Sequence, residues 1–144
     1  MYCWKVLSSF NYWCKEMKDK MRILVGIDGS DHSTWALLEA INIAKKYSGF
    51  IKVITVYKKD EEEEAEKIKQ KTKQLLEREN VDGELSAILG SNPSLALVDT
   101  AKRENFDLIV VGSRGLGGTA AFLLGSISRQ VVTAAPCDVL VVKK

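Results

Sequence analysis

Short apolar runs recur along this chain, and all but the last are followed by a stretch with helical rather than strand periodicity. Ile23, Leu24, Val25 and Ile27 are interrupted only by Gly26, and Ile51, Val53, Ile54 and Val56 lead to Tyr57. Leu108 to Val111 is unbroken, and Val139 to Val142 is followed by two lysines. Such runs, too short for helices and without polar alternation, suit strands covered on both faces. Leu85, Ala87 and Leu89 alternate instead, as a short edge strand does.

The segments between the strands read as helices. Leu37, Ala40, Ile41 and Ala44 form one helical face, with Ser30, Asp31 or Ser33 as its cap and Gly49 as its stop. The charged stretch from Lys58 to Asn80 places acids first and bases later, as the helix dipole favours, over a thin apolar face of Ala65, Ile68, Leu75 and Leu76. Asn92-Pro93 supplies a cap and then proline at the first helical position, for a helix to about Glu104. Ile127 to Ala134 is the last. The order β-α-β-α-β-α-β-α-β, without repeat or linker, predicts an α/β fold: one domain with an open, doubly wound five-stranded parallel sheet and helices on both faces.

With 144 residues the chain is long enough for one proper core. A net charge of +2 and the lack of a basic run argue against a nucleic-acid partner. No apolar stretch is long enough to span a bilayer, so no membrane partner is expected. Cys3, Cys14 and Cys137 fit no zinc spacing and no disulfide framework, which makes a reducing, cytoplasmic setting the expectation. Cys137, beside Pro136, reads as a small core residue. His32 is the single histidine, so most histidine-based catalysis and metal binding drops out. It is expected to sit solvated near the start of the first helix.

Residues 1–20 look unlike the rest. Apolar residues recur there at Cys3, Val6, Phe10, Trp13 and Met17, one face of a helix too short to stand alone. Three readings stay open for this extension: a docked helix, a dimer or partner contact, or a chain whose true start is Met21.

The most informative stretch runs from Asp107 to Arg129. After the strand at 108–111 come Gly112, Gly115, Gly117 and Gly118, and Gly125-Ser126 then opens a helix. A strand, a glycine-rich loop and a helix N-terminus together suit a phosphate, because free N–H groups and the positive dipole end point at the ligand. The charges agree: between Asp107 and Asp138 there is no acid, while Arg114 and Arg129 are present. The alternative is that the glycines merely turn the chain.

The spacing Gly112-x2-Gly115-x9-Gly125-Ser126 resembles the nucleotide-binding motif of the universal stress protein family, in its ATP-binding class. The opening RILVGIDGS and the closing APCDVLVVK are similar to the same family, over residues 21–144. The resemblance implies strand order 3-2-1-4-5, a homodimer through the last strand, and ATP with Mg or Mn as ligand. Asp28 would lie beside the ribose and the metal, and Gly26 would let the first strand approach the nucleotide. The Val56 backbone would hold the adenine, with Val111 packing nearby. Gly112 and Gly115 would let the loop close on ribose and phosphate. Gly125, Ser126 and Ile127 would offer N–H groups to the phosphates. Ser113 and Arg114 complete the candidate set, Arg114 for electrostatic help only. The implied role is regulatory, with nucleotide occupancy tuning dimer or partner contacts.

Other nucleotide chemistries fit the same residues less well. Gly115-x-Gly117-x-x-Ala120 formally fits a dinucleotide fingerprint, but it does not follow the first strand and lacks the acid that should follow. A Walker loop is excluded, since no Lys-Ser or Lys-Thr follows the glycines. A slow Mg-dependent ATPase or phosphotransfer enzyme stays open as the alternative function, as does a dimerising module with a structural nucleotide. No second acid is placed to orient water, so efficient turnover is not indicated.

Overall fold

The structure, a computed structural model, describes residues 20–114 and 124–143. Five strands alternate with helices: β1 (Arg22–Gly26), α1 (Asp31–Tyr47), β2 (Phe50–Tyr57), α2 (Glu62–Arg78), β3 (Gly83–Leu89), α3 (Pro93–Arg103), β4 (Leu108–Gly112), α4 (Ser126–Ala134) and β5 (Asp138–Val142). All pair in parallel, in the order β3-β2-β1-β4-β5. The expected α/β architecture and strand order are therefore present.

Alternation along each strand divides the core in two. Ile23, Val25, Ile51, Val53 and Val110 face α1 and α2, where Leu37, Ile41 and Leu76 cover them. Leu24, Ile54, Ile109 and Val111 face α3 and α4, against Leu97, Ala101 and Val131. Burying an aliphatic side chain of this size contributes about 1.5–3 kcal/mol, so these two sets supply most of the drive to close the helices onto the sheet. Among the described residues no helix is long and apolar enough to cross a membrane.

Element ends follow local chemistry. Ser30 caps α1, its Oγ accepting the Ser33 N–H at 3.2 Å. The helix stops one residue before the expected glycine, at Ser48, which takes φ 50°. Asn92 caps α3 by accepting the Leu95 N–H at 3.0 Å. Cys137 packs beside the α3/α4 cluster. Burial, then Asp138 and Asp107, push its thiol pKa up, which keeps it a poor nucleophile.

At the amino end of the sheet lies a residue pattern reasoning passed over. Lys52 interrupts the apolar run of β2 and is 8% exposed. Its ammonium donates to both Glu104 carboxylate oxygens at 2.8 and 3.0 Å and pairs with Glu84 at 3.3 Å. Burial alone would lower the Lys52 pKa, but hydrogen bonds and charge from Glu104 and Glu84 outweigh it, so the net shift is upward from 10.5. Nearby, the Arg22 guanidinium lies 4.7 Å from the Phe106 ring centre and 5.3 Å from that of Phe50.

Removing one partner of this pair leaves a buried charge under-compensated. Glu104→Gln is expected to cost about 1–3 kcal/mol in urea denaturation at neutral pH. A raised folded-state pKa gives a contribution that is whole below the ordinary lysine value and lost as pH rises through the raised one. Stability of the parent relative to Lys52→Met should therefore fall across that alkaline window. A difference that stays constant there contradicts the assignment.

Candidate functional site

The carboxyl edge of the sheet has a notch above β1. Gly26, the last residue of β1, lies opposite Ile54, while β2 continues to Tyr57. On the other flank Val25 pairs with Val110, and β4 continues to Gly112. In a parallel ladder the N–H and C=O of one residue point to the same side, and alternate residues share a side. Ile54 accepts the Ile27 N–H at 2.9 Å, so Ile54 faces β1, and Val56 faces the same way, past the end of β1. Tyr57 faces the other way, accepting the Gly90 N–H at 2.9 Å. The notch lies where the winding of the sheet reverses, the place at which open α/β sheets bind ligands.

Asp28 stands at the mouth of this notch. Its Oδ1 accepts the Ser30 N–H at 3.0 Å and the Ser30 hydroxyl at 2.6 Å, and its own N–H donates to Ser33 Oγ at 3.3 Å. Gly29, at φ 84°, lets the chain make that turn. The carboxylate is thus fixed, half-buried, just ahead of α1. Among the described residues no group of three or more His, Cys, Asp or Glu side chains gathers to hold a metal. A cation beside Asp28 would need ligand and water oxygens for the rest of its shell, a habit that suits Mg²⁺.

The opposite flank is the start of α4. Its cap residue is Gly125, so no side chain closes this N-terminus, unlike α1 and α3. The first turn carries no acid. Arg129 reaches back to the Leu124 carbonyl at 3.4 Å, and Arg114 is half-buried at the end of β4. Gly125 has φ −68°, outside the left-handed region, and its N–H donates to the Ser113 carbonyl at 2.7 Å. That N–H is already engaged, and no side chain caps the first-turn N–H groups that follow it, at Ser126, Ile127 and Ser128.

The other expected site residues fall into distinct roles. Gly115 lies outside the described residues. Val111 is buried in the α3/α4 cluster, while Val56 and Ile127 are half-buried and pack on its margin. A Cβ at Gly26 would stand 2.8 Å from a Leu97 methyl, and one at Gly112 would stand 2.6 and 2.7 Å from the His32 carbonyl carbon and oxygen. Both glycines therefore make room for protein atoms. Ser113 is fully buried, with its N–H donating to the Val142 carbonyl at 2.8 Å.

His32 is not simply solvated. It is half-buried, edge-on to the Trp35 ring at 4.8 Å, with Nδ1 3.4 Å from Ser113 Oγ. No periodicity links positions 81 residues apart, so sequence reasoning had no signal for this contact.

Comparison with known proteins agrees with this architecture. Residues 21–143 match the model of the universal stress protein family. A universal stress protein of Thermus aquaticus is 35% identical over 136 residues, covering 84% of this chain and 97% of that protein. Among solved structures, universal stress protein UspA from Lactobacillus plantarum superposes with a TM-score of 0.78 at 26% identity, covering 87% of this chain and 99% of its own. A universal stress protein in complex with cAMP superposes at 0.72 with 29% identity, covering 85% and 97%.

The two tightly packed glycines should answer differently to a methyl group. At Gly26 the obstacle is the tip of a leucine side chain, which can turn aside; at Gly112 it is backbone. In urea denaturation Gly26→Ala is expected to cost about 1 kcal/mol and Gly112→Ala about 3 kcal/mol, the two ends of the usual overpacking range. Equal costs, or a larger one at Gly26, contradict the seating of α1 on β4.

Proposed function

The chain belongs to the universal stress protein family, and from that premise we propose that the notch above β1 binds an adenine nucleotide, ATP with Mg²⁺ or Mn²⁺. Its occupancy tunes contact with a second copy or another partner. The observation that carries this reading is the pairing of two unlike flanks. On one side the Val56 backbone faces past the end of β1, where it can meet the donor and acceptor edge of a base. On the other, an uncapped and acid-free helix N-terminus suits phosphate. The complex of cAMP with a relative 29% identical to this chain supports the nucleotide class.

In this reading Val56 holds the adenine through its backbone, and Val111 and Ile127 line the apolar side. Asp28 lies beside the ribose and supplies the carboxylate for the divalent cation, which would offset phosphate charge. Ser126 and Ile127 give N–H groups to the phosphates, and Ser126 adds its hydroxyl. Arg114 and Arg129 contribute positive potential. Gly125, whose N–H serves Ser113, contributes by leaving the helix end without a cap.

The working unit is residues 21–144, and its second copy joins through β5. That strand pairs only with β4 within the described sheet and carries half-buried Val139, Leu140, Val141 and Val142. An apolar edge of this kind favours pairing with another chain.

Calorimetry with Mg²⁺ present tests the ligand. ATP is expected to bind about tenfold or more tightly than AMP, the worth of one or two further phosphate contacts at a helix end. In the same samples, sedimentation should report a dimer whose stability changes when ATP is added. Equal affinity for ATP and AMP removes the phosphate role of α4, and a monomer unaffected by ATP removes the regulatory part.

A further inference from the structure

We infer that His32 is a positioning residue of this site: through Ser113 it sets the first turn of α4, and so the phosphate end of the nucleotide, while leaving the adenine end alone. The inference rests on the nucleotide reading for what α4 binds, but not for the contact itself.

Ser113 is the junction. It follows β4 and is 0% exposed, so each of its polar groups must be satisfied inside the protein. Its N–H donates to the Val142 carbonyl at 2.8 Å, which ties it to β5. Its carbonyl accepts the Gly125 N–H at 2.7 Å and the Ser128 hydroxyl at 3.3 Å, which ties it to α4. Its hydroxyl meets His32 Nδ1 at 3.4 Å, which ties it to α1. Either neutral tautomer of the ring serves, because a serine hydroxyl can donate or accept.

His32 itself has little freedom. Its backbone seats on Gly112 so closely that a Cβ there would fall 2.6 Å from the His32 carbonyl carbon, and its ring stands edge-on to Trp35. The first turn of α1, which follows directly on Asp28, is thereby linked around the end of β4 to the first turn of α4 on the opposite face of the sheet. Taking away Nδ1 leaves a buried hydroxyl unpaired. A shift of the Ser113 backbone that brings its hydroxyl to another partner relieves that loss, and the carbonyl that holds Gly125 moves with it.

Substitutions at His32 separate this role from simple packing. Asparagine keeps a polar atom near the Nδ1 position, and leucine does not. In the full-length protein with Mg²⁺, His32→Leu is expected to weaken ATP binding about fivefold, the worth of one hydrogen bond, and to change adenosine binding by less than about twofold. Without nucleotide, His32→Leu should speed amide hydrogen exchange at Gly125 while leaving Val25 in the core unchanged. His32→Asn should restore both properties, and Ser113→Ala should reproduce the leucine phenotype. If His32→Leu and Ser113→Ala leave Gly125 exchange as in the parent, the positioning role is overturned. If they lower ATP and adenosine affinity equally, the effect is general and the role is overturned as well. A parent protein that binds neither ligand overturns the nucleotide reading instead, and Gly125 exchange still decides the His32 contact.

Discussion

β1 stops before its neighbours do, and much of the molecule depends on that mismatch. The sheet is parallel, so each connection must return over a face, and the central strand is where the two directions of winding meet. At its end the chain turns through Asp28 and Gly29 into α1, bound by Ser30 and Ser33. β2 and β4 run on, and between them they leave backbone without a strand partner. Unpaired backbone at a sheet end is a liability in a core and a resource at a ligand site. α1 flanks the opening on one face of the sheet and α4 on the other.

The helices beside this opening are held by close packing more than by charge. Gly112 admits the α1 backbone, Gly26 admits Leu97 of α3, and Ser113 binds β5, α4 and α1 at once. The geometry of the two flanks is set from behind by these contacts. The charged network of Lys52, Glu84 and Glu104 lies at the opposite end of the sheet and serves the fold instead.

The fold was legible because its signals are local. Runs such as Leu108–Val111, the Asn92-Pro93 start and the alternation at Leu85, Ala87 and Leu89 each report on one element, and together they allow few topologies. Strand limits were less legible, since a ladder ends where its partner ends: the apolar run of β1 reaches Ile27 but the strand stops at Gly26, while β3 begins at Gly83 rather than near Leu85. Of the site, the strand, loop and helix around Gly112 and Gly125 announced themselves by spacing. What the glycines touch did not. The contacts of Gly26 with Leu97, of Gly112 with His32 and of His32 with Ser113 join residues far apart in the chain, and Lys52 was hidden inside an otherwise apolar strand.

In the proposed complex one nucleotide bridges the Val56 edge and the α4 N-terminus. The most direct measurement is a titration of isotope-labelled protein with Mg·ATP, followed through backbone amide chemical shifts. The largest shifts are expected at Val56, Ser126 and Ile127, with little change at Lys52 or Glu84 at the far end of the sheet. Shifts confined to one flank, or clustered around Lys52, would contradict it.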